Sequence, residues 1–297
     1  MIRICCLLLF ICDVAFAQSG MSETEKLIAD VQRTLHPDRF KKVLVGEQET
    51  VFFSNNANLP LNKGIMILVS EAGRNGASKI SLAPMARYFN DYGWATLLIT
   101  APDYQWQMPE EQATQSSSQP QPTDSAPETT NEEIPKSVDQ GVPAYDATPV
   151  INQTMFDAQE QQFLLLMNAA NQEAATFPGF IVVIAHGTSA AFLAKLYSED
   201  QLMAPDAFVA ISSNWPVKSL NDQIPNLLAR TPAPVMDIYN QWDNDWAKST
   251  AKQRRVVAEK SLKMHFRQRE IIGQALNQTQ YEYIAKEIYG WLSYMGW

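Results

Sequence analysis

Four largely apolar runs, in GIMILVSEAG, WATLLITAPDY, FIVVIAH and DAFVAISSN, decide most of what this chain can fold into. A strand with one face in water alternates apolar and polar residues, and these do not. Continuous runs of this length fit strands covered on both faces, as in a parallel sheet between two helical layers. PVMDIYNQ and KMHFRQREII read as two further strands.

The segments between the runs carry helical spacing. SLAPMARYFNDYG reads as a helix closed by Gly93, FDAQEQQFLLLMNAANQEAA as a long one, SAAFLAKLYS as a third and DWAKSTAKQRRVVAEK as a fourth. YEYIAKEIYGWLSYM ends the chain as an amphipathic helix. Near the start, SETEKLIADVQRTL is a helix candidate in which Ser22 and Glu25 have the spacing of a capping box. KKVLVGEQETVFFSN then offers one or two strands for an antiparallel edge. Strands alternating with helices at this scale predict an α/β fold, with a mostly parallel twisted sheet and helices on both faces. Ligands of such sheets bind beyond the carboxyl ends of the strands, so chemistry is sought there.

Two segments stand apart from this pattern. MIRICCLLLFICDVAFAQ has Arg3, an apolar run from Ile4 to Cys12 and Ala15-Phe16-Ala17 in an A-x-A arrangement. It reads as a secretory signal peptide, residues 1–17, cleaved after Ala17, which directs the protein to the periplasm. Its apolar run is far shorter than the ~20 residues of a membrane-spanning helix. All three cysteines, Cys5, Cys6 and Cys12, lie in it, so the mature chain has no disulfide, thiolate metal site or cysteine nucleophile.

The second segment, residues 107–150, holds seven of the 17 prolines among Ser, Thr, Gln and Glu. It carries eight acids and one base, −7 of the net −9. Such a stretch cannot bury enough surface to offset its ordering entropy, so it predicts a disordered acidic insertion in one domain made of 18–106 and 151–297. The body is left near neutral without a basic patch, which disfavours nucleic-acid binding.

IVVIAHGTSAAF, residues 181–192, brings a strand, a turn and a small-residue helix together with a serine. With the order of elements, this resembles the nucleophile elbow of the α/β-hydrolases. The similarity spans roughly residues 40–297 apart from the insertion, and is nearest to a family of exported proteobacterial proteins of unknown function. In that family the strand ends resemble GWATLLITAPD and AHGTSAA here.

The resemblance implies a set of site residues. The superfamily's G-H-S-x-G aligns on Ala185, His186, Gly187, Thr188 and Ser189, which leaves Gly187 at the nucleophile position and puts Ser189 in the first turn of the helix. A register two residues later, Gly187 to Ala191, reads G-x-S-x-A and makes Ser189 the nucleophile. An ordinary strand length of Phe180 to Ala185 favours the first register.

Asp243, in Asn240-Gln241-Trp242-Asp243, matches the triad acid, ahead of Asp237 and Asp245; equally, it could cap the following helix. The triad histidine is missing: Asn277, Gln278 and Thr279 occupy its loop. The three histidines present, His36, His186 and His265, each suit a structural role better than that of a general base. Ala72 and Gly73 stand where an oxyanion loop belongs, but their neighbour Glu71 would oppose an oxyanion if it faced the pocket; a solvated position suits it better.

Trp215, Tyr239 and Trp242, with Trp246 nearby, sit near strand ends and could line a pocket, although covering the core is the commoner role of aromatic residues. The sequence holds no metal-ligand spacing and no dinucleotide or P-loop motif, so no cofactor is expected. The expectation is a hydrolase-like fold with an incomplete triad, binding an unspecified small molecule without catalysis. The alternative is a serine esterase or peptidase using Ser189, Asp243 and either His265 or His186.

Overall fold

The computed structural model describes residues 23–34, 39–102, 153–274 and 276–297. The expected signal peptide, the 107–150 insertion and His36 lie outside them, as does Ser22 of the expected capping box.

Among the described residues, eight strands form one sheet. In chain order they are β1 (Phe40–Val45), β2 (Gln48–Asn55), β3 (Gly64–Val69), β4 (Trp94–Ile99), β5 (Phe180–His186), β6 (Ala207–Ile211), β7 (Val235–Asn240) and β8 (Arg267–Ile271). Their order across the sheet is β1-β2-β4-β3-β5-β6-β7-β8. The β1–β2 hairpin pairs antiparallel to β4, and every pair from β4 to β8 is parallel. The apolar runs are therefore the central parallel strands, and the mixed sequence at 41–55 is the antiparallel edge.

The described residues form eight helices that cover the sheet: α1 (Glu23–Thr34), α2 (Ala83–Asp91), α3 (Gln153–Ala174), α4 (Gly187–Ser198), α5 (Lys218–Asn221), α6 (Ile224–Arg230), α7 (Asp245–Lys260) and α8 (Tyr281–Tyr294). A strand turns successive side chains to opposite faces, and β5 shows why both must be apolar. Val183 and Ala185 join the core beneath α3, α4 and α6, whereas Val182 and Ile184 join the core beneath α1, α2 and α8. Phe163, Phe192 and Trp215 fill the first core, and Phe89, Trp94 and Trp291 the second. Each such ring removed from water contributes about 1.5–3 kcal/mol.

Two buried ion-pair partners fasten α7. Arg254 Nε donates to Asp237 Oδ2 of β7 at 2.8 Å, and Gln268 Nε2 of β8 donates to the same oxygen at 2.7 Å. Arg254 Nη1 donates to Thr250 Oγ1 and the Ala247 carbonyl within α7. Asp237 is thus a structural residue.

Candidate functional site

The elbow is built from the end of β5. His186 is extended (φ −117°, ψ 143°), and α4 begins at the next residue. Gly187 reverses the chain with φ +60°, a left-handed conformation that glycine adopts at no steric cost. The apex of the turn is therefore Gly187, as in the register with the displaced serine. Ser189 is in the first turn of α4 and 0% exposed. Its Oγ donates to the Ser70 carbonyl at 2.7 Å, tying α4 to the end of β3. Thr188 is buried, and among the described residues its Oγ1 has no partner.

Glu71 fills the space at the apex. A Cβ placed on Gly187 would lie 2.6 Å from Glu71 Oε1, 2.8 Å from Cδ and 3.0 Å from Cγ. The side chain is only 22% exposed, so the expected solvated position does not hold. Oε2 accepts from Arg74 Nε at 2.9 Å and lies 3.5 Å from His186 Nδ1. The carboxylate thus sits at the first residue of α4, where the helix dipole favours negative charge. Loop 70–74 holds it there: Arg74 N donates to the Glu71 carbonyl at 3.0 Å, and Ser70 Oγ donates to the Arg74 carbonyl at 2.8 Å. The same turn packs Ala72 onto the core and leaves Gly73 exposed; neither lines the cleft that Glu71 and His186 border.

His186 is buried beside this carboxylate. Burial lowers its pKa from the ordinary value; the charges of Glu71 and Asp243 act in the opposite direction and Arg74 adds to the lowering. Among the described residues its Nε2 has no hydrogen-bond partner.

The end of β7 carries Asp243. Asn244, not Asp243, caps α7, accepting from Ala247 N at 2.8 Å. Asp243 Oδ2 accepts the hydroxyl of Ser212 and the backbone N–H of Asn240 (3.2 Å), while Oδ1 accepts from Asn244 N at 2.9 Å. Ser212 follows β6 directly with φ +52°. It is the residue that sequence reasoning missed, and the only hint was a hydroxyl just past a buried strand. In place of an imidazole, this acid holds a hydroxyl.

His265 is exposed and precedes β8 by two residues. Because β8 runs parallel to β7, His265 lies at the opposite end of the sheet from Asp243. Ser189, His265 and Asp243 are therefore not brought together.

A cleft of about 570 Å³ opens over the strand ends, lined by Glu71, Arg74, His186, Asp243, Trp242, Asn277 and their neighbours. Of the three aromatics expected to line a pocket, only Trp242 does so, and it is 69% exposed. Trp215 is core, with edge contacts to Phe156 and Phe192 at centroid distances of 5.4 and 5.6 Å. Tyr239 lies instead between Glu270 and Arg254. Among the described residues, no group of three or more His, Cys, Asp or Glu could hold a metal ion.

The family described as "Protein of unknown function (DUF3530)" matches residues 17–294. The chain belongs to this family. No curated protein matches it in sequence. Solved structures do resemble this family member. Est1E from Butyrivibrio proteoclasticus superposes with a TM-score of 0.53 at 8% identity, over 85% of this chain and 97% of that one. A protein designated a carboxylesterase from Lactobacillus plantarum gives 0.51 at 11% identity, over 86% and 97%. One designated a dienelactone hydrolase from Klebsiella pneumoniae gives 0.51 at 14% identity, over 86% and 98%. At such identities the likeness speaks for the fold alone, and the fold is that of the α/β-hydrolases.

Proposed function

We propose that this protein uses a hydrolase scaffold to bind a small ligand at its strand-end cleft without turning it over. The observation that carries the reading is the pairing of Gly187 with Glu71. Acyl transfer at an elbow needs a hydroxyl or thiol at the apex and an imidazole to take its proton. Here the apex has no side chain, and a carboxylate occupies the volume one would need. That carboxylate would also repel a developing oxyanion.

The competing reading, a serine esterase, depends on Ser189. Its hydroxyl is fully buried and already spent on Ser70 O. Asp243, the acid such an enzyme would use, is occupied by Ser212 and two backbone N–H groups.

The protein is proposed to act in the cell envelope, on the strength of the leader-like 1–17; the family match begins where that leader ends. Among the described residues no helix is long and apolar enough to cross a membrane. Residues 107–150 are proposed as an insertion whose removal leaves the melting temperature nearly unchanged.

The test is direct. The protein should neither hydrolyse p-nitrophenyl esters nor be labelled by a fluorophosphonate. Turnover that Ser189→Ala abolishes would reverse the assignment.

A further inference from the structure

We propose that the cleft takes a neutral, hydroxyl-rich ligand of the saccharide class, with one apolar face of a sugar ring stacked on Trp242. The proposal rests on the non-catalytic reading above and specifies what is bound there.

The charges of the cleft restrict its occupant. Glu71 and Asp243 both line it, and the positive end of α4 is already matched by Glu71. An anion would meet two carboxylates, while the one cationic side chain in the lining, Arg74, is paired with Glu71. A cation would have to displace Arg74 from Glu71, or Ser212 and backbone N–H groups from Asp243. An acyl chain fits poorly, because among the described residues of the lining only Ile80, Leu276 and Trp242 are apolar.

The polar groups that remain are mixed in kind. Asn277 and Gln278, uncharged amides of the lining, can both donate and accept. His186 forms part of the same wall but keeps its Nε2 buried away from the cleft. A hydroxyl is the ligand group that can satisfy a donor and an acceptor at once.

Trp242 supplies the apolar half. Its ring is exposed although its backbone is firmly held. Gln241 N donates to the Ile271 carbonyl at 2.8 Å, Trp242 N to the Gly273 carbonyl at 3.0 Å and Asp243 N to the Asn240 carbonyl at 3.1 Å. A large flat ring carried on a held backbone at the rim of a polar cleft presents an apolar face beside hydrogen-bonding groups, as a sugar requires. The volume lies within the ~300–1,000 Å³ of small-molecule sites.

The experiment titrates the protein with short neutral oligosaccharides of glucose and of N-acetylglucosamine, read by calorimetry and tryptophan fluorescence. Oligogalacturonate, spermidine and a fatty acid serve as anionic, cationic and acyl comparisons. A neutral oligosaccharide should bind and perturb the fluorescence. Trp242→Ala should weaken binding about tenfold without moving the melting temperature, and Trp242→Phe should retain part of it. The proposal is overturned if no neutral oligosaccharide binds, if a comparison compound binds better, or if Trp242→Ala binds as the parent does. Fatty-acid binding alone would refute the ligand class and leave the binding reading standing. Ester turnover would instead remove the binding reading, whatever the saccharides do.

Discussion

Glu71 Oε1 lies 2.6 Å from the point where a side chain on Gly187 would begin. Two residues 116 positions apart thus share one volume, and either can fill it only if the other stays small or withdraws. The loop after β3 and the turn after β5 are coupled at that point.

Gly187→Ser should therefore be costly on two counts. A non-glycine residue at φ +60° costs of the order of 1–3 kcal/mol, and the new Cβ must also displace Glu71. Adding Glu71→Ala should recover the second part but not the first, so the two changes will be non-additive in a denaturant-derived double-mutant cycle. A Gly187→Ser protein as stable as the parent would show that Glu71 does not occupy this space.

Ser189→Ala should act on stability alone. It removes a buried hydrogen bond to Ser70 O, worth about 1 kcal/mol, and should shift the urea midpoint without changing the slope. Reactivity toward fluorophosphonates should be as low in the variant as in the parent.

His186 gives the fold a dependence on acidity. Burial lowers its pKa in the folded state, whereas the unfolded chain has an imidazole near 6.5. As pH falls through about 6.5, the unfolded state takes up a proton that the folded state refuses, so stability drops; the loss stops growing once the lowered folded pKa is passed. Glu71 and Asp243 reduce the effect, and Arg74 adds to it. Urea unfolding across this window should show a steeper loss for the parent than for His186→Gln. Parallel curves would rule the contribution out.

The buried pair beneath α7 should respond unequally to single and double changes. Asp237→Ala or Arg254→Met strands a charge away from water and should cost about 3–5 kcal/mol. Replacing both with apolar residues of similar volume should restore most of the loss, as read from unfolding midpoints.

The parallel sheet was legible because burial on both faces leaves an unbroken apolar run, as in GIMILV and FIVVIA. The turn at Gly187 was legible because a strand stopped at a glycine followed by small residues. Helices α5 and α6 went unpredicted: KSLNDQIPNLLAR is too short for a period to emerge, with Pro225 at the start of α6. Nothing in the sequence marks Glu71 as turned inward, because its direction depends on loop 70–74 and on Arg74, which are three-dimensional facts. Trp215 and Trp242 look alike in sequence, each just beyond a strand. One met Phe156 and Phe192, the other met water.

Helix α4 is provided with its counter-ion by the neighbouring loop. Dissolved salt therefore has little to neutralise there, and a ligand held by hydroxyl contacts and ring stacking displaces no ions on entry. Affinity at this cleft should be nearly indifferent to ionic strength, where a site relying on unmatched charge would weaken steadily as electrolyte is added.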